Sequence, residues 1–425
     1  MKFKSLAVAA LSVSVLSAFY IPGANAAGFY IQEQSVKGLG SAFSGSTTSI
    51  DDASTVYFNP AGMTKLSGPQ MNAGVHLLIP SADLTNTGST FDFNGPAPGG
   101  IGPIVGNDGG NPYSPTPVPN LFVAYPIVQD QVWAGLAINV PFGLANEYDT
   151  GWFGRYDSTE TELTTINIQP SIAVKATNWL SIGAGVDIQR ADATLKSAIS
   201  NVVSEGESKL TGDDWSYGYN IGLQIKPVES TEIGLHYRSA IKHTLEGRIS
   251  VQGLSASNFD IPGTADLNLP DIASFGIAHQ ATDKLRLMAE ANWFGWNNFQ
   301  EINAKNTAGT SVSNVVQNYQ TTWAFSVGGE YDVNDKWTVR AGYQHDATPT
   351  TDLYRTSRTP DGDRNWFSGG ATYKINPKLD LDLAATYIDI SKEKINLSRN
   401  SGLANISANT EGSVGIVAVG LTYKF

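Results

Sequence analysis

The chain has no cysteine among its 425 residues, so no disulfide framework holds it and no thiol chemistry is open to it. Beyond the first 26 residues no stretch approaches the ~20 consecutive apolar residues of a transmembrane helix. Positive charge is scarce: 27 Lys and Arg stand against 39 Asp and Glu, a net charge of −12. That balance argues against nucleic acid as a partner. No metal-ligand spacing or phosphate-binding loop occurs. Only 41% of the residues are hydrophobic, whereas Gly contributes 43 and the aromatics 9 Trp, 17 Tyr and 17 Phe. This suits a single solid core poorly. It suits a sheet whose two faces meet different solvents.

Residues 1–26 read as a secretory signal peptide. Lys2 and Lys4 form its positive start, residues 6–21 its apolar middle, and Ala24-Asn25-Ala26 its small-residue cleavage site. The mature chain is then exported, either soluble or as a membrane barrel. Residues 27–68 do not read as a strand. Gly38-Leu39-Gly40 and Gly45 punctuate them, and the Ser/Thr/Asp cluster at 47–52 reads as a helix start with acids in its first turn. The run 53–58 must stop near Asn59, because a residue before proline resists the helical region. A compact irregular piece attached to one large sheet is expected. Composition fits it equally well inside a barrel or as an exposed extension.

From residue 70 onward fourteen strands are expected, at 70–80, 119–128, 132–142, 161–175, 180–195, 213–226, 231–249, 268–279, 284–296, 319–331, 336–346, 363–375, 379–390 and 411–425. Six short connections (129–131, 176–179, 227–230, 280–283, 332–335 and 376–378) alternate with seven long ones, the largest being 81–118. One edge of tight turns and one of long loops is the layout of an outer-membrane barrel with its turns in the periplasm. Period-2 patterning agrees. Trp215, Tyr217, Tyr219, Ile221, Leu223 and Ile225 alternate with Ser216, Gly218, Asn220, Gly222, Gln224 and Lys226. Leu379, Leu381 and Leu383 alternate with Asp380 and Asp382, and Trp337, Val339 and Tyr343 with Thr338, Arg340 and Gln344. A soluble β-sandwich would show the same period. Aromatics near strand ends (Trp179, Trp293, Trp323, Tyr331, Trp337, Tyr373) favour a membrane interface, and small residues on the polar face would leave a lumen open. The chain ends on Tyr423-Lys424-Phe425, a terminal aromatic usual in such barrels. The expected fold is all-β, a 14-stranded antiparallel outer-membrane β-barrel.

These residues resemble the outer-membrane long-chain fatty acid transporter (FadL) family, which includes aromatic-hydrocarbon importers. The resemblance runs through Ala27-Gly28-Phe29, Gly38-Leu39-Gly40, Asp51-Asp52-Ala53 and Asn59-Pro60-Ala61. It resumes at Val118-Pro119-Asn120 and 139–147, and fades after about Leu195. It implies an N-terminal hatch over 27–68, with Asn59, Pro60 and Ala61 as its motif, plugging a barrel formed by 69–425. It further implies a kinked third strand that opens the wall sideways, and passive diffusion of hydrophobic substrate.

Asn139-Val140-Pro141-Phe142-Gly143 independently allows such an opening. Proline cannot donate to the ladder and glycine weakens it, so the wall should be poorly paired there. The lateral opening is therefore placed at Asn139, Pro141, Phe142 and Gly143; the plainer alternative is that Pro141 merely ends the strand at the rim. Two loops are unusually apolar. Residues 81–118 carry six prolines with Phe91, Phe93, Ile101, Ile104 and Val105, and residues 144–156 carry Leu144, Tyr148, Trp152, Phe153 and Tyr156. Exposed apolar patches usually mark binding sites. By resemblance Leu144, Tyr148, Trp152 and Phe153 would form an outer hydrophobic groove, while self-packing of the loops into a lid is equally compatible.

Arg238, Arg286, Arg340, Glu232, Glu290, Asp187, Asp380 and Asp382 fall on the expected inner face, mixed charges that mostly satisfy one another. Arg238 and Arg340 are the candidate contacts for a fatty-acid carboxylate. A dozen buried methylenes are worth up to roughly 10 kcal/mol, against ~1–3 kcal/mol for a charged hydrogen bond, so tail length should dominate binding. His76, His236, His243, His279 and His345 form no catalytic motif, and no enzymatic activity, cofactor or metal is expected. The expected function is passive uptake of hydrophobic molecules, long-chain fatty acids first. An aromatic-hydrocarbon or alkane importer is the alternative, and a general porin a more distant one. The expected partners are the cargo, outer-membrane lipid and lipopolysaccharide, around a monomeric barrel.

Overall fold

The computed structural model describes residues 28–93, 100–255 and 257–425. The expected signal peptide lies outside them. The expected barrel is borne out: fourteen antiparallel strands close into one sheet. They are, in order, Gln70–Asn86, Thr116–Val128, Val132–Asn139 continued as Gly143–Glu147, Glu160–Lys175, Leu180–Ser200, Glu205–Val228, and Thr231–Arg238 continued as Lys242–Gln252. Phe259–Asn268 with Ile272–Gln280, Leu285–Phe294 with Glu301–Asn306, and Ser311–Val316 with Thr322–Asp332 make strands eight to ten. Trp337–Asp346, Arg364–Asn376, Leu379–Arg399 and Ala404–Lys424 complete the wall. Strand fourteen pairs with strand one from Gln70↔Lys424 to Asn86↔Ala408, which leaves no free edge.

Side chains alternate as a membrane wall requires. On strand one Met71, Val75, Leu77 and Ile79 are exposed, while Asn72, His76 and Leu78 between them are buried. Ile221, Phe275, Phe325, Val339, Leu383, Val419 and Leu421 continue the exposed apolar face around the circumference. Inside, Asp187, Gln189, Asn220, Gln224, Glu290 and Asp382 are buried. Apolar outside and polar inside is the arrangement for lipid, not for water. Trp337 packs on Tyr373 at 4.7 Å, and Trp323 stacks on Phe325 at 5.8 Å, on the outward face near strand ends.

Two features depart from the sequence reading. Several long loops are smaller than expected, because the strands run on beyond the membrane as hairpins: residues 196–200 pair with 205–209, and 393–399 with 404–410. Polar stretches there keep the ladder because their backbones still need partners. Second, strands three, seven, eight, nine and ten are each interrupted. The last four break at one height, shown by the pairs Arg238↔Ile272, Ile272↔Phe294 and Phe294↔Thr322. The interruptions turn Phe142, Ile241, Leu269, Trp296 and Tyr319 into a single buried cluster with Phe29. Strands seven and eight also change phase across the break. Below it the inward residues are the even-numbered His236, Arg238, Gly276 and Ala278, and above it the odd-numbered Leu245, Ile249, Ala265 and Leu267. The inward faces of these two strands are therefore largely apolar above the break.

The outward face can be tested directly. Val419→Arg should destabilise the barrel by ~2–4 kcal/mol if that position lies near the bilayer midplane, measured by denaturant unfolding in lipid vesicles. A cost below 1 kcal/mol would place Val419 at the interface or in water.

Candidate functional site

Residues 28–66 lie inside the barrel. Short helices Val36–Gly40 and Thr55–Phe58 and the 3₁₀ turn Pro60–Lys65 are buried for most of their length, and they touch strands one to six and eleven to fourteen. Ser35 caps the first helix by accepting the Gly38 amide at 3.1 Å. Lys37 of that helix is buried and donates to Asp51 at 2.7 Å. Burial opposes the ammonium, but Asp51, Asp382 and Asp52 outweigh it and hold its pKa above the usual lysine range. On strand nine Glu290 accepts the Thr47 amide at 3.0 Å and the Ser46 hydroxyl.

Asn59 is fully buried. Its Nδ2 donates to Thr47 O at 2.9 Å and, across to strand six, to Leu223 O at 3.0 Å; its Oδ1 accepts the Ala61 amide at 3.2 Å. Pro60 opens the 3₁₀ turn, where its missing donor costs nothing. The wall is glycine where this motif touches it. A Cβ on Gly222 would stand 2.0 Å from Asn59 Oδ1, and one on Gly183 would stand 2.4 Å from the Ala61 nitrogen. The small inward residues thus accommodate the N-terminal segment, where the sequence reading had them leave a lumen open.

Residues 140–142 have left the ladder. Strand three pairs with strand four up to Asn139↔Asn167 and resumes at Gly143↔Thr164. On its other side, pairing with strand two ends at Leu121↔Ile138. The freed groups turn inward. Pro141 O accepts the Ile31 amide at 2.8 Å, the Gly143 amide donates to Phe29 O at 3.0 Å, and Val140 O accepts Gln34 Nε2 at 2.7 Å. Pro141 therefore interrupts the strand rather than ending it, and Phe142 packs against Phe29 and Tyr30 at 6.2 and 5.4 Å. Gly28, at φ +65°, lies so close to Trp296 that a Cβ would fall 2.7 Å from the ring. Sequence reasoning missed the role of Phe29 and Tyr30; their aromatic pairing at the mature terminus was the available signal.

Above Phe29 lies an apolar cavity lined by Leu144, Leu163, Leu210, Leu245, Leu267 and Phe299, with Arg358 at its margin. Leu195, Leu210, Ile302 and Arg358 are shared with a larger outer vestibule of about 550 Å³. Of the expected groove residues, Leu144 lines the cavity. Tyr148, Trp152 and Phe153 do not: they form the buried core of a lid with Phe91, Ile104, Ile395 and Leu397. Tyr148 stacks on Trp152 at 3.9 Å and donates to Ser357 O at 2.6 Å. The loops bury their own apolar surface, the self-packing that the sequence allowed beside an outer groove.

The two expected carboxylate contacts are engaged elsewhere. Arg238 is paired with Asp187, donates to Tyr57 O at 2.8 Å and lies 4.2 Å over the Tyr57 ring. Arg340 donates to Glu330 at 3.1 Å and to Thr372 Oγ1 at 2.7 Å. Each is spent on a protein acceptor.

The closed barrel, its lipid-facing exterior and its apolar upper interior define an outer-membrane β-barrel transport protein. The chain belongs to the outer membrane protein transport protein family (OMPP1/FadL/TodX), whose model matches residues 18–425, and this places it in the outer membrane. It is 29% identical over 430 residues to a 47 kDa outer membrane protein of Pasteurella multocida, covering 95% of each chain. It is 27% identical over 440 residues to a long-chain fatty acid transport protein of Escherichia coli O6:H1, covering 94% of each. A crystal structure of a Pseudomonas aeruginosa FadL homologue superposes with TM-score 0.86 at 26% identity, covering 94% of this chain and all of that one. The Pseudomonas putida toluene transporter TodX shares the fold, with TM-score 0.65 at 16% identity over 88% of this chain and 94% of that one.

The burial of Glu33 predicts a pH dependence for the packing of the N-terminal segment. It is fully buried and neither carboxylate oxygen has a hydrogen-bond partner. Burial pushes its pKa up to about 7, against the pull of Arg364 and of the backbone amides of Gln32 and Glu33, which lie near without meeting hydrogen-bond geometry. A solvated glutamate ionises near 4.3. The seated state is then favoured in full below that pH, loses its advantage as the pH rises toward about 7, and changes no further above it. Openings in planar bilayers should be more frequent at pH 7.5 than at pH 4.5, and Glu33→Gln should remove the difference. Equal pH dependence in both proteins would assign it to another group.

Proposed function

We propose that this protein takes up hydrophobic molecules across the outer membrane by passive diffusion, long-chain fatty acids before other cargo. In this reading residues 27–68 are the hatch, with Asn59, Pro60 and Ala61 at its seat, and Asn139, Pro141, Phe142 and Gly143 frame a lateral exit. One observation carries it. An apolar cavity, fed from an outer vestibule, ends at Phe29, which bonds to strand three where that strand has lost its ladder pairing to both neighbours, while the barrel below is filled. Aliphatic side chains dominate that cavity, and each methylene transferred into it gains ~0.8 kcal/mol. A water-filled porin would need an open polar lumen. The long-chain fatty acid transport proteins among the relatives support the choice of acid; toluene and alkanes are the alternative cargo.

Restoring the ladder should close the exit. Pro141→Val with Gly143→Thr returns a donor and strand propensity to strand three. Heat-modifiable gel migration should show a folded barrel, and fatty-acid uptake in a transporter-deleted strain should fall to near background. Toluene uptake, measured beside it, decides the cargo. Normal fatty-acid import by the double variant would route substrate past the hatch to the periplasm instead.

A further inference from the structure

The vestibule and the apolar cavity share Leu195, Leu210, Ile302 and Arg358, which form the throat between them. Three of the four are fixed. Leu195 and Leu210 sit directly opposite each other in the ladder of strands five and six. Each is paired on its other side as well, Leu195 with Thr161 of strand four and Leu210 with Ile249 of strand seven. Arg358 is tied to strands four and five by hydrogen bonds to Thr161 Oγ1 at 3.1 Å, Glu160 O at 3.2 Å and Lys196 O at 3.1 Å.

Ile302 is held differently. It stands on the hairpin made by the upper halves of strands nine and ten, Glu301–Asn306 and Ser311–Val316. That hairpin meets strand eight at three pairs, Gly263↔Asn306, Thr264↔Lys305 and Ala265↔Ala304. The pairing stops short of Ile302, whose ladder partner is Val315 of its own hairpin. Among the described residues the far edge of Ser311–Val316 pairs with no strand, because strand eleven ends lower down, at Asp346 opposite Ala324. An exposed ion pair between Lys305 and Asp266, at 3.4 Å, adds little.

The hairpin is nevertheless firm within itself. Asn314 Nδ2 donates to Glu301 at 2.8 Å, Ser311 Oγ donates to Asn303 Oδ1 at 2.8 Å, and Asn306 Oδ1 accepts the Ala308 and Thr310 amides at 3.0 Å. Its base is anchored too. Phe299 and Tyr319 are buried edge to face at 5.0 Å, and the Gln317 and Asn318 amides donate to Gln300 O at 2.8 and 2.9 Å. A rigid arm on a fixed base, joined to its neighbour along three residues, is the part of the wall that opens at least cost.

We infer that the hairpin 301–316 gates the throat. It swings outward about its base, parts the short ladder with strand eight, and draws Ile302 away from Leu195 and Leu210 so that cargo passes from vestibule to cavity. The inference rests on the uptake reading above. With no cargo in the throat, burial of these aliphatic lips favours closure.

A chain without cysteine makes the test direct. Thr264→Cys with Lys305→Cys sets two thiols opposite each other at positions that alternate with the buried Ala265 and Ala304, so their bond would lie outside the throat. In a transporter-deleted strain, oxidation of this variant should slow hexadecanoate uptake about tenfold, and reduction should restore it. Adding Ile302→Ala, which removes the moving lip, should return most of the uptake to the oxidised form. Oxidised protein that imports at the reduced rate, or a lock that Ile302→Ala does not relieve, would overturn the gate. Where thiol titration shows that the bond has not formed, Ile302→Ala alone decides: faster uptake supports the gate and an unchanged rate sinks it. Wild-type protein that imports neither hexadecanoate nor toluene would overturn the uptake reading instead.

Discussion

A backbone at membrane depth has no water to satisfy it, and every donor and acceptor must find a partner within the protein. The interruption of strand three meets that requirement from inside the barrel. Residues 29–34 supply what the neighbouring strand would have supplied: Phe29 O, the Ile31 amide and the Gln34 side chain. The break in the wall and the seating of the N-terminal segment are thus one structure. Neither can change without exposing polar groups of the other.

The same economy explains the two halves of the interior. In the lower half, polar side chains and glycines receive the irregular N-terminal backbone, with Asn167, Asp187, Asn220 and Arg238 bonded to one another around it. In the upper half, broken strands turn aromatic and aliphatic residues inward. The apolar cavity ends at Phe29, and there the polar, filled half begins. A path that continued downward would have to displace hydrogen-bonded structure. The proposed sideways path would pass the interrupted strand three, whose freed groups are bonded to residues 29–34.

The barrel was legible because a strand exposed to lipid keeps its phase: Val339 and Tyr343, or Leu381 and Leu383, state it residue by residue. What was hidden is where the phase slips. Ser239-Ala240-Ile241 moves the inward face from even to odd positions, and a reading that ran 231–249 as one strand could not show it, since both halves alternate correctly. Pro141 marked the break in strand three because proline has a mechanism there. Strand eight carries Pro270 in its break, whereas strands seven, nine and ten break without a proline. The candidate carboxylate contacts were also hard to judge from sequence for a physical reason. Inner-face position identified Arg238 and Arg340, but whether a guanidinium is free depends on partners distant in the chain, such as Asp187 and Glu330. For Tyr148, Trp152 and Phe153 the sequence allowed a groove or a self-packed lid, and nothing local announces that Phe91 and Ile395 will cover them.

Closure between strands one and fourteen also fixes the order of assembly. Val36 lies against Gly74 and Gly420, one glycine on each of the two strands that meet last. A segment of some forty residues, wedged against glycines around the circumference, cannot thread into a finished barrel through the space those glycines leave. It must already rest in the curve of the sheet when the two ends pair, and it offers the incoming strands a surface on which to align. The barrel is then built around its contents, and a chain whose N-terminal segment arrived late would close over an empty bore.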